Sequence, residues 1–364
     1  MPQVRVELAE RSYDILIDRG LIGRLGTLVR RAVPRVTRTL IITDTNVSSR
    51  FGAAAKAALE AADLQTIKAT VPAGEASKSL AQAYNLYSAC INAKLDRHSV
   101  IVALGGGVVG DLAGFVAATF LRGIPFVQVP TTLLAQVDSS IGGKTGVDLP
   151  QGKNLVGAFH QPSLVVADLD VLTSLPRREL AAGMAEVVKH AIIRDAGFLK
   201  FLESETEHIL EVDPAIMGAV VENNCRIKAE VVGQDEREAG LRQILNFGHT
   251  VGHAMEVSLG LGNWLHGECV AVGMVAVMHI SRQMGMLKEP TLPTRLERLL
   301  QRLGLPVRLP ANVNLAALEQ LMLRDKKVES GRINWVLPVR AGEVAVSDAV
   351  PSNAVTQALE SLWR

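Results

Sequence analysis

The chain has 364 residues, of which 48% are hydrophobic and 21% are charged. It is therefore long enough for two domains and too apolar to be intrinsically disordered. Its 38 Lys and Arg residues nearly balance its 37 Asp and Glu residues, and aromatic residues make up only 4%. This composition argues against a nucleic-acid-binding protein, which would carry a basic surface or stacking aromatic side chains.

The cysteines and the apolar segments favour a cytoplasmic protein. The three cysteines, Cys90, Cys225 and Cys269, are odd in number and widely spaced, which is typical of a reducing compartment rather than of a disulfide framework. Residues 1–18 contain no apolar run of the kind that a signal peptide needs. The most apolar stretch, residues 100–121, includes an aspartate and five glycines, which indicates a buried strand, a turn and a helix. We therefore expect no membrane partner.

The first half of the chain alternates predicted strands and helices. Residues 4–8 and 13–17 are predicted to form an antiparallel pair. Short apolar runs that have the pattern of buried parallel strands follow at 39–43, 66–71, 99–104, 125–129 and 164–167. The helices predicted between them are 51–62, 79–93 and a segment that ends near residue 121. This alternation predicts an α/β domain over residues 1–176, with a Rossmann-like, mostly parallel sheet and helices on both faces.

Beyond residue 176 the strand signals disappear and the periodicity becomes helical. Long helices are predicted at 178–202, 214–233, 248–259 and 268–286. The last of these is apolar almost all round, which is typical of a core helix. Residues 290–364 are interpreted as helices with a short strand at 333–337. We therefore predict a second, mainly α-helical domain over residues 177–364.

The turn Gly105-Gly-Gly-Val-Val-Gly110 is a candidate nucleotide site, because it follows a predicted strand and opens a predicted helix. Glycines let the backbone approach a phosphate closely, and a helix N-terminus offers N–H groups to an anion. However, no acidic residue follows about 20 positions later, as it would in a dinucleotide-binding motif. A tight turn without a ligand is therefore the alternative. Asp44, at the end of an earlier strand, is placed either to hold a ribose diol or to cap a helix.

Histidines and carboxylates in the second domain indicate a divalent metal. His249 and His253 are four residues apart on a predicted helix, and His266 follows 13 residues later. Upstream, Glu186 and His190 are also four residues apart. Such ligands from separate helices can close on one ion and leave a position open for substrate. The spacing does not select which of them bind, and packed or exposed histidines are the alternative.

Basic residues beside glycine-rich turns suggest a small anionic substrate. The segment Ile141-Gly-Gly-Lys144-Thr-Gly146 is similar to a phosphate loop but lacks its first glycine. Further candidates are Lys153, Asn154, Arg226, Lys228, Arg242, Lys326 and Lys327. The alternative for each is a solvated surface charge. With a nucleotide and a metal, this set predicts an enzyme that transfers hydride between nicotinamide and a hydroxyl-bearing carbon.

Five segments in a fixed order resemble the motifs of the sugar-phosphate cyclases and, among these, of the 3-dehydroquinate synthase family. They begin at Gly105, Pro130, Gly142, Asn246 and His266, and their sequences are GGGVVGDLAGF, PTTLLAQVDSS, GGKTGV, NFGHTVGH and HGE. The resemblance covers roughly residues 40–330. Each motif alone is weak, but the ordered set is specific.

The resemblance implies a cytoplasmic, homodimeric lyase of the shikimate pathway whose cofactors are NAD and a zinc or cobalt ion. It would convert 3-deoxy-D-arabino-heptulosonate 7-phosphate to 3-dehydroquinate and phosphate. NAD would oxidise C5 transiently, phosphate would be eliminated, the hydride would return, and an intramolecular aldol step would close the ring. A cyclase acting on another heptulose phosphate, a metal-dependent polyol dehydrogenase of related fold and a non-enzymatic binding module are the alternatives.

The resemblance also assigns roles to individual residues. It implies that the metal ligands are Glu186, His249 and His266, and that His253 faces the substrate phosphate. The other phosphate-binding residues would be Lys144, Asn154, Asn246, either Lys326 or Lys327, and Arg122, which would reach in from the second subunit. Lys228 and Arg242 would clamp the substrate carboxylate, and the ring hydroxyls would be held by Lys189, Asp138 and Glu238.

The positions that the resemblance assigns to NAD fall in several short segments. They are Asp44, Asn46, Ala73, Gly74, Glu75, Ala76, Ser77, Lys78, Gly107, Val108, Val109, Gly110, Asp111, Thr131, Thr132, Lys144, Lys153, Val171, Leu172, Thr173 and Ser174. The segment 72–78 departs from the acidic and aromatic pattern that is usual in the family, and Ser174 stands where threonine is common.

Overall fold

The computed structural model describes residues 2–260, 262–323, 328–329 and 332–363. Lys326 and Lys327, the two candidates for one phosphate ligand, lie outside the described residues. The chain forms two compact units. The first comprises Met1–Leu175 and Met217–Arg237, and the second comprises Pro176–Ile216 and Glu238–Arg364. The segment Met217–Arg237 thus belongs to the first unit although it follows residue 176 in the chain.

The first unit is built on a seven-stranded, mostly parallel sheet. Its strands, together with a separate two-stranded hairpin, are β1 (Gln3–Val6), β2 (Tyr13–Asp18), β3 (Arg38–Asp44), β4 (Gln65–Val71), β5 (Val100–Gly105), β6 (Phe126–Pro130), β7 (Lys144–Leu149), β8 (Gly152–Phe159) and β9 (Leu164–Asp168). The sheet order is β1-β2-β9-β6-β5-β3-β4, and β7 pairs with β8 in the hairpin. Only β1 and β2 are antiparallel neighbours in the large sheet. The predicted Rossmann-like sheet and the predicted antiparallel pair are confirmed, and the structure places this pair at one edge of the sheet.

The helices of the first unit lie between these strands, as the alternating pattern predicts. They are α1 (Leu25–Ala32), α2 (Thr45–Val47), α3 (Ala53–Glu60), α4 (Leu80–Asn92) and α5 (Gly107–Thr119). The buried side chains of Leu40 and Ile42 on β3 share a core with residues of α4 and α5. Ile41, between them in sequence, is also fully buried. Since successive side chains of a strand point to opposite faces, both faces of the sheet are covered at β3.

The second unit is mainly helical, which confirms the predicted change of character. The remaining helices of the chain are α6 (Arg177–Arg194), α7 (Ala196–Ser204), α8 (Thr206–Leu210), α9 (Pro214–Gln234), α10 (His249–Leu259), α11 (His266–Gln283), α12 (Leu292–Arg302), α13 (Leu315–Met322) and α14 (Ser352–Leu362). From residue 217 onward α9 belongs to the first unit. Every residue of α11 from 269 to 278 is buried, so the predicted core helix is confirmed.

The structure corrects two details of the predicted elements. The strands β7 and β8 and the pair of β10 (Val328–Glu329) with β11 (Arg332–Ile333) are additional to the predicted list. The strand predicted at 333–337 overlaps β12 (Trp335–Arg340), which pairs with a further strand, β13 (Glu343–Ser347). The helix predicted over 178–202 is interrupted at Asp195, whose carboxylate accepts a hydrogen bond from the Phe198 N–H and so begins α7. No helix among the described residues combines the length and the apolar character needed to cross a membrane.

Close packing of α10 on α11 depends on Gly273. A Cβ atom built at Gly273 would overlap the backbone carbonyl oxygen of Gly248, which precedes α10. We therefore expect Gly273→Ala to lower the free energy of unfolding by about 1–3 kcal/mol or more, the usual cost of overpacking. Urea denaturation of the full chain measures this. Gly23→Ala is the control, because its new Cβ meets no atom within 4 Å. If Gly273→Ala were as stable as this control, the prediction would be wrong.

Candidate active site

The cofactor residues predicted from the sequence follow the carboxyl ends of neighbouring parallel strands. Asp44 ends β3, segment 73–78 follows β4, the glycine turn follows β5, Thr131 follows β6, and segment 171–174 follows β9. Ligands of open α/β sheets bind outside these ends, where the order of the strands reverses. Here the reversal lies between β3 and β5, because β4 extends the sheet beyond β3 and β6 extends it beyond β5.

The glycines of the turn serve two different purposes. Gly106 precedes the first turn of α5, where backbone N–H groups point away from the helix. A Cβ at Gly110, by contrast, would lie 2.8 Å from the Gln128 side-chain oxygen Oε1. Gly110 is therefore required by the packing of α5 against β6. The start of the turn retains the geometry that suits an anion.

Asp44 adopts the capping arrangement that the sequence left open as an alternative. Its Oδ1 accepts hydrogen bonds from the N–H groups of Asn46 and Val47, at 2.8 and 3.0 Å, at the start of α2. Asn46 is exposed beside it. Both bonds use the same carboxylate oxygen, so capping and contact with a ribose are compatible.

Four of the predicted cofactor residues form two ion pairs. The buried Lys78 Nζ donates to Asp111 Oδ2 at 2.6 Å, and Lys153 Nζ lies 3.6 Å from Glu75 Oε1. Burial alone would lower the pKa of Lys78, but the Asp111 carboxylate raises it above its ordinary value. Lys78 therefore stays charged and ties the segment that follows β4 to the helix that follows the glycine turn.

The hydroxyl groups of the remaining predicted cofactor residues differ in the hydrogen bonds that they form. Thr131 is buried, and within the described ranges its hydroxyl has no hydrogen-bond partner. The Thr132 hydroxyl accepts from the Ala135 N–H at 3.1 Å. The hydroxyls of Thr173 and Ser174 donate to carbonyl groups of the 3₁₀ helix Leu169–Ser174. Thr131 is thus the hydroxyl of this group most in need of an added partner.

Two predicted substrate residues of the first unit contact each other. Lys228, on α9, is buried, and its Nζ donates to both the carboxylate and the backbone carbonyl of Asp138. Asn224, one turn earlier on α9, donates to the Val137 carbonyl at 2.6 Å. These bonds fix the turn Ala135–Ser139 against the helix and place one cation and one carboxylate side by side.

The other predicted phosphate-binding residues of the first unit are exposed. Lys144 and Asn154 are exposed on β7 and β8, and Arg122 is exposed after α5. Arg122 and Asn154 have positive φ values of 70° and 54°. Non-glycine residues are uncommon in this conformation and cluster at functional sites. Glu238, a predicted site residue in the second unit, also has a positive φ, of 62°.

The predicted metal ligands of the second unit come together. Glu186 on α6 is fully buried, and its Oε1 lies 3.5 Å from His249 Nε2 and 3.3 Å from His266 Nε2. One candidate ligand atom from each residue lies within 4.8 Å of the other two. His249 begins α10 and His266 begins α11, so three separate helices supply the group. The arrangement suits a divalent ion that accepts nitrogen and oxygen ligands.

Further polar side chains surround this group. Lys189, one turn along α6, is paired with Glu186 and is almost completely buried. The ring of His253 lies 5.3 Å from that of His249 and 6.0 Å from that of His266. With Glu256 and His266, His253 forms a second, overlapping group of potential ligands. The structure thus brings His253 close to the predicted metal ligands, and the two groups of potential ligands share His266.

The electrostatic environment of His266 favours positive charge. Its Nε2 faces Glu186, and its Nδ1 lies 3.5 Å from Glu256 Oε2. Burial opposes the charged imidazolium, yet these two carboxylates raise the pKa of His266 to about 10. A site that stabilises the positive charge of a protonated histidine is also suited to a metal cation, which would bind the imidazole in its neutral form.

The remaining predicted residues of the second unit lie in the segment that leads to α10, except for His190, which lies on α6. Arg242 is buried in the 3₁₀ helix Leu241–Asn246. Asn246 Nδ2 donates to Glu238 Oε1 at 2.9 Å, so two predicted substrate residues contact each other. His190 is fully buried.

Sequence reasoning missed Glu256, although a signal was present. Glu256 follows His249 by seven residues and His253 by three, which places all three on one face of α10. Carboxylates that contact the second nitrogen of a ligating histidine fix its tautomer and orientation. Glu268 belongs to the HGE motif, which by itself predicts no role for it.

The chain matches two family models along most of its length. The first is described as 3-dehydroquinate synthase N-terminal and matches residues 68–182, and the second as 3-dehydroquinate synthase C-terminal and matches residues 183–328. A 3-dehydroquinate synthase from Symbiobacterium thermophilum is 64% identical over 359 residues, which cover 99% of this chain and 100% of the relative.

Two solved structures share the fold over nearly the whole chain. A 2-deoxy-scyllo-inosose synthase complexed with carbaglucose-6-phosphate, NAD+ and Co2+ matches with a TM-score of 0.90 and 26% identity, covering 99% of this chain and 100% of its own. A 2-epi-5-epi-valiolone synthase from Streptomyces hygroscopicus subsp. jinggangensis, with NAD+ and Zn2+ bound, matches with a TM-score of 0.89 and 28% identity, covering 98% of both chains.

Proposed function

The chain belongs to the 3-dehydroquinate synthase family, and we propose that it converts 3-deoxy-D-arabino-heptulosonate 7-phosphate to 3-dehydroquinate and phosphate. The observation that carries this proposal is the group of Glu186, His249 and His266, of which the first two are buried and the third is partly buried, in a chain whose family match spans residues 68–328. The reaction is a step of the shikimate pathway and uses NAD without net oxidation.

The metal is assigned to Glu186, His249 and His266. One carboxylate and two imidazoles leave coordination positions open to substrate, as in catalytic zinc sites. The residues fit a dication, because Glu186 is completely buried and Glu256 adds a second carboxylate beside His266. When bound, a zinc or cobalt ion would polarise a substrate oxygen as a Lewis acid.

NAD is assigned to the carboxyl edge of the parallel sheet, at the positions between Asp44 and Ser174 that the resemblance implies. The N-terminus of α5 suits a phosphate, and the buried Thr131 hydroxyl, which has no partner within the described ranges, suits a ligand hydrogen bond. When bound, NAD would accept a hydride from the substrate and return it in the same cycle.

The other predicted site residues would hold the substrate. Lys228 and Arg242, both buried, provide the cations for its carboxylate. Its phosphate is assigned to Lys144, Asn154, Asn246, His253 and Arg122, and its ring hydroxyls to Lys189, Asp138 and Glu238. Buried charged groups of this kind act by orienting a substrate and by stabilising the charge that develops on it.

Two alternative activities share the fold. A cyclase acting on a heptulose phosphate without a carboxylate would not need both Lys228 and Arg242. The 2-deoxy-scyllo-inosose synthase and the 2-epi-5-epi-valiolone synthase are 26% and 28% identical to this chain, against 64% for the 3-dehydroquinate synthase. A polyol dehydrogenase would release its reduced cofactor and would leave a phosphate ester intact. Both alternatives are less well supported than the proposed lyase.

We further propose that the enzyme is a cytoplasmic homodimer, without nucleic-acid or membrane partners. The exposed Arg122, held at a positive φ, would reach the phosphate of the second subunit. The three free cysteines are all buried, as expected for a protein of a reducing compartment.

Phosphate release with catalytic NAD tests the proposed function. The full chain, loaded with Zn2+ and given a trace of NAD, should release one phosphate per heptulosonate phosphate, and NADH should not accumulate. A chelator should stop the release, and Zn2+ or Co2+ should restore it. Accumulation of NADH without phosphate would indicate a dehydrogenase, and release only from an analogue that lacks the carboxylate would indicate a different cyclase.

A further inference from the structure

The segment His266-Gly267-Glu268, at the start of α11, contacts α6 through all three of its residues. His266 Nε2 lies 3.3 Å from Glu186 Oε1. A Cβ at Gly267 would overlap the backbone carbonyl oxygen of Ala182. Glu268 pairs with Arg178, whose Nε and Nη2 donate to its two carboxylate oxygens at 2.6 and 2.7 Å. One short segment thus meets three successive points along one helix.

The three points on α6 lie on one face of that helix. Arg178, Ala182 and Glu186 are spaced by four residues each, so they follow one another along the same side. At the middle point only the absence of a side chain on Gly267 lets the two backbones approach. A displacement of α11 along or around α6 would therefore change the separation of His266 from Glu186 directly.

The Arg178–Glu268 pair also holds the backbone that precedes His266. Glu268 Oε2 accepts a hydrogen bond from the Leu265 N–H at 2.8 Å. Arg178 Nη2 donates to the Asn263 carbonyl at 3.0 Å. The pair thus fixes both the first turn of α11 and the residues that lead into it.

We propose that Arg178 and Glu268 are positioning residues that set the distance between the metal ligands on α6 and α11. This inference rests on the proposed function, because it requires Glu186 and His266 to bind the metal. Arg178 has a side chain that is 56% exposed, whereas that of Glu268 is 14% exposed. Solvent reaches Arg178 and screens the pair, and Glu268 keeps its hydrogen bond to the Leu265 N–H when the Arg178 side chain is removed. We therefore expect the loss of Arg178 to affect the geometry of the ligands more than the free energy of unfolding.

Metal affinity of Arg178→Ala tests the proposal. The full chain and the variant are titrated with Zn2+ against a competing chelator, and the visible absorption of their Co2+ complexes is recorded. We expect the affinity of the variant to fall about 10- to 100-fold, as for other residues that support metal ligands, and its Co2+ spectrum to change. The melting temperature of the metal-free protein should change little. Arg178→Lys, which keeps one donor, should recover part of the affinity.

Arg340→Ala is the matched control. It removes an exposed ion pair of the same unit, between Arg340 Nε and Glu343 Oε2 at 2.6 Å, and should leave affinity and spectrum unchanged. An unchanged affinity and spectrum in Arg178→Ala would overturn the proposal. So would a fall in the melting temperature of the metal-free variant well beyond that of the control, since the role would then be structural. If the unaltered chain binds no Zn2+, the proposed function itself fails.

Discussion

His249→Ala is expected to abolish tight metal binding and to reduce phosphate release at least about 1000-fold. His249 Nε2 lies 3.5 Å from Glu186 Oε1, and His249 is one of two imidazoles in the candidate metal group. Lewis-acid stabilisation by a metal contributes several kcal/mol, and about 1.4 kcal/mol of barrier corresponds to a tenfold change in rate. Metal content after gel filtration and the rate of phosphate release measure the two effects.

His208→Ala provides the control for His249→Ala. The His208 side chain is 58% exposed and contacts Glu205 at the surface of the second unit, so its loss should leave both the metal content and the rate unchanged. A His249→Ala protein with one bound Zn2+ per chain and a normal rate would show that the ion is held elsewhere. In that case the overlapping group of His253, Glu256 and His266 would be the next candidate.

The parallel sheet could be predicted because its strands are buried on both faces. A run such as residues 39–43 consists of three apolar residues flanked by threonines, and in the structure residues 39–43 of β3 are all buried. The hairpin of β7 and β8 gives no such signal, since its burial is uneven and glycines interrupt it. Its position depends on α5 instead, where a Cβ at Gly114 would overlap the Thr145 side chain. A contact between distant segments of this kind is not visible in a local pattern.

The candidate metal group shows the same limit, since a local sequence pattern does not reveal which distant residues meet. The spacing places His249 and His253 on one helix face but does not show which of them binds the metal. In the structure, the rings of both lie near His266. The choice of His249 came from the resemblance, and the structure adds that its Nε2 faces the buried Glu186. Asp44 illustrates the opposite case. Its position at the end of a strand allowed either a cap or a ligand, and only the hydrogen bonds to the N–H groups of α2 show that it caps.

The contact between Lys228 and Asp138 could not be anticipated from the sequence. Lys228 and Asp138 are 90 residues apart, and the sequence assigned them to different parts of the substrate. Their pairing in the structure brings a carboxylate against the cation that is proposed to bind the substrate carboxylate. In the proposed function, Lys228 would therefore be shared between Asp138 and the substrate carboxylate.

Lys228→Ala is expected to raise KM for the heptulosonate phosphate about 10- to 150-fold and to change kcat for phosphate release much less. A hydrogen bond to a charged group contributes about 1.5–3 kcal/mol. The carboxylate that Lys228 would bind is remote from C5, where the hydride is removed, and from C7, which loses phosphate, so up to phosphate release its loss affects substrate and transition state alike. Initial rates of phosphate release over a wide range of substrate concentration separate the two constants.

Arg226→Ala serves as the control for this prediction, since Arg226 lies two residues away on α9, is 62% exposed and pairs with Glu222. Its KM should match that of the unaltered chain. Urea denaturation of Lys228→Ala distinguishes a loss of binding from a loss of stability, because the substitution also removes a buried partner of Asp138. A substrate analogue without the carboxylate provides the decisive comparison. If Lys228 binds that carboxylate, the substitution should barely affect the KM of the analogue, whereas an equal rise for both compounds would mean that Lys228 acts only through Asp138.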